Sequence, residues 1–120
     1  MMKYRVIICG GRDFNGSTMA YKAISNTLKN ISKEELEIVE GGAKGADRIG
    51  REWAIANNVT YKTFPADWEN NGKAAGHIRN AEMAEYGTHC IAFWDGVSRG
   101  TKNMIDTASK KGLRVKVVNY

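Results

Sequence analysis

Four glycine-rich segments of the 120-residue chain carry the residue types that could do chemistry on a ligand. They are "GGRDFNG" (10–16), "EGGAKGAD" (40–47), "PADWENNGKAAGHIRN" (65–80) and "WDGVSRGT" (94–101), and together they hold ten of the 13 glycines. Each segment also contains a basic side chain. Glycine allows the backbone to approach a ligand closely, and the N–H groups at the start of a helix bind anions. This combination predicts a site for a phosphate-bearing small molecule.

The charged and aromatic residues of these segments suggest separate roles. Arg12 suits a phosphate or ribose, and Asp13 suits either ribose hydroxyls or the work of a general base. Phe14 could stack on a base or fill the core. Glu40 directly follows an apolar run, whereas Asp47 is also consistent with a favourable carboxylate in a first helical turn. The full set of predicted ligand-binding residues is Gly10, Gly11, Arg12, Asp13, Phe14, Gly41, Gly42, Lys44, Gly45, Asp47, Trp68, Lys73, Arg79, Asn80, Asp95, Gly96, Ser98, Arg99, Gly100 and Thr101.

Composition and missing motifs narrow the function classes. Neither the G-x-G-x-x-G dinucleotide fingerprint nor the G-x-x-x-x-G-K-[ST] phosphate loop occurs, which disfavours a common NAD dehydrogenase or P-loop NTPase. Cys9 and Cys90 stand alone in apolar runs, so we expect buried thiols, no metal site and no cofactor. The net charge of +5 is spread along the chain rather than clustered, which makes a nucleic-acid partner unlikely. No segment is apolar over a membrane-spanning length, so we expect no membrane association.

The elements that must position these residues alternate along the chain. Short apolar runs predict strands over 4–9, 36–40, 59–64, 88–94 and 113–118. Apolar residues at helical spacing lie between them, in four groups: Ala20, Ala23, Ile24, Thr27, Leu28 and Ile31; Ile49, Trp53 and Ala56; Ala74, Ile78 and Ala81; Thr101, Met104, Ile105 and Ala108.

This alternation predicts one α/β domain over 1–120, a three-layer Rossmann-like or flavodoxin-like sandwich with a mainly parallel five-stranded sheet and helices on both faces. The four glycine-rich segments follow the carboxyl ends of the first four strands. Because parallel strands end at a common edge, the segments should meet there, where such sheets bind ligands.

The segments "GGRDF", "GGAKGAD", "GHIRNAEM" and "AFWDGVSRGTKNMI" resemble the SLOG superfamily of DprA- and LOG-related Rossmannoid domains, in particular its small YspA-like subfamily with a GRDF motif. The resemblance spans Val6 to Val118. It implies the strand order 3-2-1-4-5 and a pocket for a nucleotide or nucleotide-derived ligand such as an ADP-ribose derivative. It also implies a homo-oligomer, since relatives pair through helices.

The resemblance to LOG phosphoribohydrolases carries over residue by residue only in part. "HIRN" matches their catalytic segment at Arg79, and Gly96, Gly100 and Thr101 match phosphate binders. The glutamate that follows the Gly-Thr pair in those enzymes is missing, since no carboxylate appears after Thr101 until Asp106. Asp13, Glu40 or Asp95 would have to replace it.

We therefore expect a cytoplasmic protein, of a bacterial cell or of the host of a virus, that binds and senses or sequesters such a ligand. A hydrolase cleaving the N-glycosidic bond of a nucleoside monophosphate is the alternative, with Arg79, Asp13 and Glu40 as its catalytic residues. Single-stranded DNA binding is a weaker one.

Overall fold

A computed structural model describes residues 2–120 of the chain. Five strands form one parallel sheet in the order β3-β2-β1-β4-β5. The strands are β1 (Tyr4–Gly10), β2 (Leu36–Glu40), β3 (Thr60–Thr63), β4 (His89–Trp94) and β5 (Arg114–Asn119). The helices are α1 (Ser17–Leu28), α2 (Ala46–Ala56), α3 (Trp68–Asn71), α4 (Ala75–Tyr86) and α5 (Arg99–Lys110). This confirms the predicted fold class and the strand order that the resemblance implied.

The two faces of the sheet bury separate apolar clusters because side chains alternate along each strand. In β1, Val6 and Ile8 face the cluster that α1 and α2 cover. Ile7 and Cys9 face the opposite cluster, which α4 and α5 cover. Burial on both faces explains why these strands read as continuous apolar runs rather than as alternating patterns.

The order of the connections leaves a crevice at the centre of the sheet edge where the strands end. From β1 the chain passes through α1 to β2 on one side, and β4, which lies on the other side of β1, is reached from β3 through α3 and α4. The loops after β1 and β4 therefore turn in opposite directions. The crevice between them is the topological switch point, where open α/β sheets bind ligands.

Helix α4 forms as predicted, but its apolar stripe does not face the core. Ala74 and Ala81 are exposed and Ile78 is 42% exposed, whereas the buried positions include Met83 and the polar Asn80. The amide of Asn80 is satisfied because its Nδ2 donates to Asn103 Oδ1 at 2.9 Å. The spacing of the apolar residues therefore predicted the helix correctly, but the face that it marked as buried is exposed.

Smaller differences concern element ends. Helix α1 ends at Leu28, and Ile31, predicted on its apolar face, packs partly buried against the core beyond it. The short helix α3 lies inside the segment 65–80, where the sequence showed only a loop. Within residues 2–120, no helix is long and apolar enough to cross a membrane.

Candidate functional site

One cleft of the protein lies at the switch point between β1 and β4. Its volume is about 480 Å³, within the size range of small-molecule sites. Loops after β1, β2 and β4 line it together with α3 and α4. The lining residues predicted from the sequence are Gly10, Gly11, Arg12, Asp13, Asp47, Trp68, Lys73, Arg79, Asn80, Asp95, Ser98, Gly100 and Thr101. We call this space the first cleft.

Gly10 and Gly45 bring the first two loops together. A Cβ on Gly10 would lie 2.6 Å from Ala46 Cβ at the start of α2, and a Cβ on Gly45 would lie 2.2 Å from the Gly11 oxygen. Gly45 also has a φ of 73°, in the region that favours glycine. These glycines serve the packing of loop on loop, and Gly45 lines neither cleft.

A hydrogen-bonded group around Asp47 and Arg79 forms the base of the first cleft. Asp47 is 6% exposed, and its Oδ2 accepts hydrogen bonds from the N–H groups of Gly41 (3.1 Å) and Ala43 (3.2 Å). Arg79 donates from Nη1 to the Gly41 oxygen at 2.5 Å and from Nε to Asn80 Oδ1 at 3.1 Å. This group fixes Arg79 against the β2–α2 loop. A Cβ on Gly41 would lie 2.2 Å from Arg79 Nη1, so a larger residue there would have to displace the guanidinium.

Burial controls the protonation of Asp47. Removal from water raises the pKa of this carboxyl from its ordinary 3.8 to about 6, although the Ala43 N–H and the charge of Arg79 act against the rise. Asp47 is therefore a carboxyl that can hold or release a proton near neutral pH.

Asp95 occupies two backbone N–H groups of the β4–α5 loop. Its Oδ1 accepts from the N–H groups of Val97 and Ser98, both at 2.8 Å, which lowers the pKa of this exposed carboxyl. Ser98 caps α5, and its hydroxyl lies 2.9 Å from Thr101 Oγ1. This loop therefore presents hydroxyls and a carboxylate to the cleft, a set suited to sugar hydroxyls.

A second cleft of about 500 Å³ adjoins the first on the side of β2 and β3. Gly41, Gly42 and Lys44 of the predicted set line it, together with Pro65 and Ala66. Both clefts are lined by Arg12, Asp13, Ala43, Trp68 and Arg79. The Arg12 guanidinium lies 5.7 Å from the centre of the half-exposed Trp68 ring, a cation–π contact between the two spaces.

Besides Gly45, four other predicted residues lie outside both clefts for clear physical reasons. Phe14 is 5% exposed and stacks at 5.2 Å on the core residue Phe93, so it fills the core rather than facing a ligand. Glu40 is fully buried, and its two oxygens accept from the Gly42 N–H and the Thr63 hydroxyl. Its carboxylate is therefore engaged inside the protein, where Arg51 Nη1 also lies 3.9 Å from Oε1.

Gly96 and Arg99, the other two, face solvent. A Cβ on Gly96 would meet no atom within 4 Å, and its φ of 85° shows that it shapes the turn. Arg99 begins α5 and lines neither cleft, unlike the other predicted cations.

Several lining residues were not predicted as ligand residues. Tyr120 follows β5, and its ring lies 4.4 Å from that of Phe14. The rule that led to the other loops applied to it too, because the carboxyl end of β5 lies at the same edge. His77 lies in the glycine-rich segment 65–80, so its polar side chain and its position could have indicated a site residue. The remaining lining residues, Cys9, Ala43, Gly76 and Met83, carry no sequence signal of this kind.

Parallel strands, a crevice at the switch point and converging polar loops define a Rossmann-like α/β domain. The chain belongs to the family YAcAr, the YspA, cpYpsA-related SLOG family, whose model matches residues 4–71. This confirms the resemblance described above.

Two known proteins are similar to the chain. The Gene 61 protein of Mycobacterium phage D29 is 40% identical over 117 residues, covering 92% of this chain and 93% of that protein. The X-ray structure of DNA processing protein A (DprA) from Streptococcus pneumoniae superimposes with a TM-score of 0.76 over 99% of this chain at 17% identity. The chain spans about half of that structure, 51%, and the likeness supports the fold.

Proposed function

We propose that the protein binds a nucleotide-derived small molecule in the first cleft and acts as a sensor or sequestering protein. The observation that carries this proposal is the cleft itself, a nucleotide-sized space at the switch point whose lining contains both cations and carboxylates. Arg12, Lys73 and Arg79 lie among its lining residues together with Asp13, Asp47 and Asp95. Balanced charges of this kind suit a ligand with both phosphate and hydroxyl groups.

The geometry supports a division of roles within the cleft. Asp13 and Asp95 are exposed carboxylates, and Asp95 Oδ2 makes no hydrogen bond within residues 2–120, which leaves it for ribose hydroxyls. Trp68 is 51% exposed, and its ring offers a surface on which a base can stack. An ADP-ribose derivative and a nucleoside monophosphate both have these parts.

Cleavage of an N-glycosidic bond is the second candidate function, and Asp47 is the observation that favours it. A carboxyl with a pKa of about 6 at the base of a cleft can give a proton to a departing base near neutral pH. Its Oδ1 makes no hydrogen bond within the described residues, whereas both oxygens of Glu40 are engaged. Asp47 is thus a better candidate than Glu40 for the acid.

The test uses a matched pair of double variants. Arg12→Ala with Asp13→Ala removes one cation and one carboxylate from the cleft. Lys102→Ala with Asp106→Ala removes the same charges from an exposed ion pair on α5. Mass spectrometry of molecules released by denaturing each purified protein should find a ligand in the wild type and the control, but not in the cleft variant.

Two results would count against binding: a folded cleft variant that retains the ligand, or a wild type that neither retains nor binds any member of a nucleotide panel. Chromatography of that panel after incubation separates the binder from the hydrolase, because only the hydrolase releases free base. DNA binding would instead show as retention of single strands that falls steeply with salt.

Self-association through α4 is part of the proposal. The exposed stripe of Ala74, Ile78 and Ala81 leaves an apolar helix face with small residues on either side of a large one. Antiparallel pairing about Ile78 would place Glu82 of one copy beside the other copy's N-terminal half, which carries Lys73. A two-fold contact of this kind is self-complementary. Light scattering should report a dimer that Ile78→Glu converts to a monomer, and a monomeric wild type would refute the contact.

The cytoplasm is the compartment we propose for this activity. Cys9 and Cys90 are free thiols with a Sγ–Sγ distance of 3.8 Å, and an unbonded pair this close suits a reducing compartment. Protein purified from cells under alkylating conditions should carry both thiols reduced, and a disulfide would argue for an oxidising compartment.

A further inference from the structure

The second cleft differs from the first in the charges that line it. Its lining contains three cations, Arg12, Lys44 and Arg79, and one carboxylate, Asp13. The first cleft has three cations and three carboxylates among its lining residues. Since the two spaces have similar volumes, the second one is distinguished by its positive charge rather than by its size.

The cations of this cleft are available to a ligand. Lys44 is exposed and forms no ion pair within residues 2–120. Arg79 uses Nη1 and Nε for bonds to the protein, and its Nη2 makes none among the described residues. Arg12 is exposed, and the one charge contact of its guanidinium within residues 2–120 is with the ring face of Trp68. Three positive groups thus surround a space with little negative charge.

Three backbone amides of the adjoining loop are already occupied, which leaves side chains as the main charged groups for an anion here. The N–H groups of Gly41 and Ala43 donate to Asp47, and that of Gly42 donates to Glu40 at 2.8 Å. The corresponding N–H groups after β4 donate to Asp95. The cationic side chains that remain for an anion in this cleft therefore lie on the side of Lys44, away from the β4–α5 loop.

We propose that the second cleft is an anion subsite that takes a phosphate or pyrophosphate group. The proposal rests on the proposed function for the rest of the ligand, whose nucleoside part would occupy the first cleft. Arg12 and Trp68 line both spaces, so one molecule can extend across them. Lys44 lines the second cleft and not the first. It would therefore distinguish ligands with a terminal anionic group from those without one.

The experiment titrates inorganic pyrophosphate into ¹⁵N-labelled protein and follows amide shifts in both clefts. Pyrophosphate should shift the amides of Gly42, Lys44 and Ala66. Lys44→Gln should weaken its apparent affinity by about three- to tenfold, the effect of losing one partly solvated charge contact. Lys110→Gln removes the same charge from the far end of α5 and should leave the affinity unchanged.

Shifts confined to the Ser98 and Gly100 amides, or equal affinities for the two lysine variants, would overturn the anion subsite. The four ribonucleosides, which carry no phosphate, test the proposed function separately through amides of the first cleft. If none of them shifts those amides, nucleoside binding fails while the pyrophosphate result still decides the subsite.

The ribonucleoside 5′-diphosphates distinguish one spanning ligand from a separate free anion. A diphosphate that competes with both pyrophosphate and its parent nucleoside supports the proposal as stated. If a diphosphate competes with the nucleoside but leaves pyrophosphate bound in the second cleft, the anion there is a separate molecule and the spanning ligand is refuted.

Discussion

Replacing Asp47 with asparagine should stabilise the protein at neutral pH. The side chain is 6% exposed, and burial raises its pKa from 3.8 to about 6, so the folded state carries its charge at a cost. That rise corresponds to about 3 kcal/mol at pH values above both pKa values. Asparagine keeps a carbonyl oxygen that can accept from the Gly41 and Ala43 N–H groups, and it carries no charge.

The pH dependence of this effect has a definite sign. The folded protein binds the Asp47 proton more tightly than the unfolded chain, so the contribution of this group is fully present below pH 3.8. It is lost as the pH rises from there through about 6. The difference in unfolding free energy between Asp47→Asn and wild type should therefore rise by about 3 kcal/mol between pH 3.5 and pH 7.5.

Urea denaturation of both proteins at several pH values measures this difference. Other titrating groups affect the two proteins equally, so they cancel in the comparison. A difference that stays constant across the pH range would refute the raised pKa. An asparagine variant that becomes less stable relative to wild type as the pH rises would show that the charge pair with Arg79 outweighs desolvation.

Three further predictions concern residues whose environment is unambiguous. Gly41→Ala should displace Arg79, because its Cβ would lie 2.2 Å from Nη1, and lower ligand affinity at least tenfold by calorimetry. Phe14→Ala should cost about 3–5 kcal/mol of unfolding free energy, as for other buried aromatic residues, whereas a ligand-contact role would leave stability unchanged. Neither Cys9 nor Cys90 should react with Ellman's reagent in the native protein, since both are buried and burial with their mutual hydrogen bond raises the pKa of Cys9. Both should react in guanidinium, and fast native labelling would refute this.

The sheet could be predicted from sequence because its physics is local and strong. Strands β1, β2 and β4 are buried on both faces, so each appears as an apolar run with few interruptions. Their alternation with helices then limits the topology to a few parallel arrangements. The edge strand β3 is mostly exposed, and there the prediction of 59–64 extends beyond the observed Thr60–Thr63.

Helix α4 shows where the same reasoning fails. A pattern of apolar residues assumes that polar ones face water, yet Asn80 is buried and exchanges hydrogen bonds with its neighbours in α5 and at Arg79. Nothing in the spacing indicates that Asn80 has partners 20 or more residues away. Ile78, the largest member of the apolar stripe, is consequently left partly exposed.

The position of the cleft could be predicted from the sequence, but the packing role of its glycines could not. The sequence indicated that glycine lets a ligand approach the backbone. At Gly10, Gly41 and Gly45 the structure shows that protein atoms make the close approach instead, at 2.2 to 2.5 Å from an added Cβ. Such contacts join residues far apart in the chain, so composition and spacing cannot predict them.

The internal carboxylates change the expected mode of anion recognition. Glycine-rich loops before helices normally offer backbone N–H groups to phosphate. Here Asp47 and Glu40 accept three N–H groups of the β2–α2 loop, and Asp95 accepts two after β4. These bonds hold the loops in shape without a ligand, and the proposed anion would be bound mainly by arginine and lysine side chains. Such a site should select ligands by the spacing of their charged groups, because cationic side chains in two adjoining clefts would bind two separate groups of one ligand.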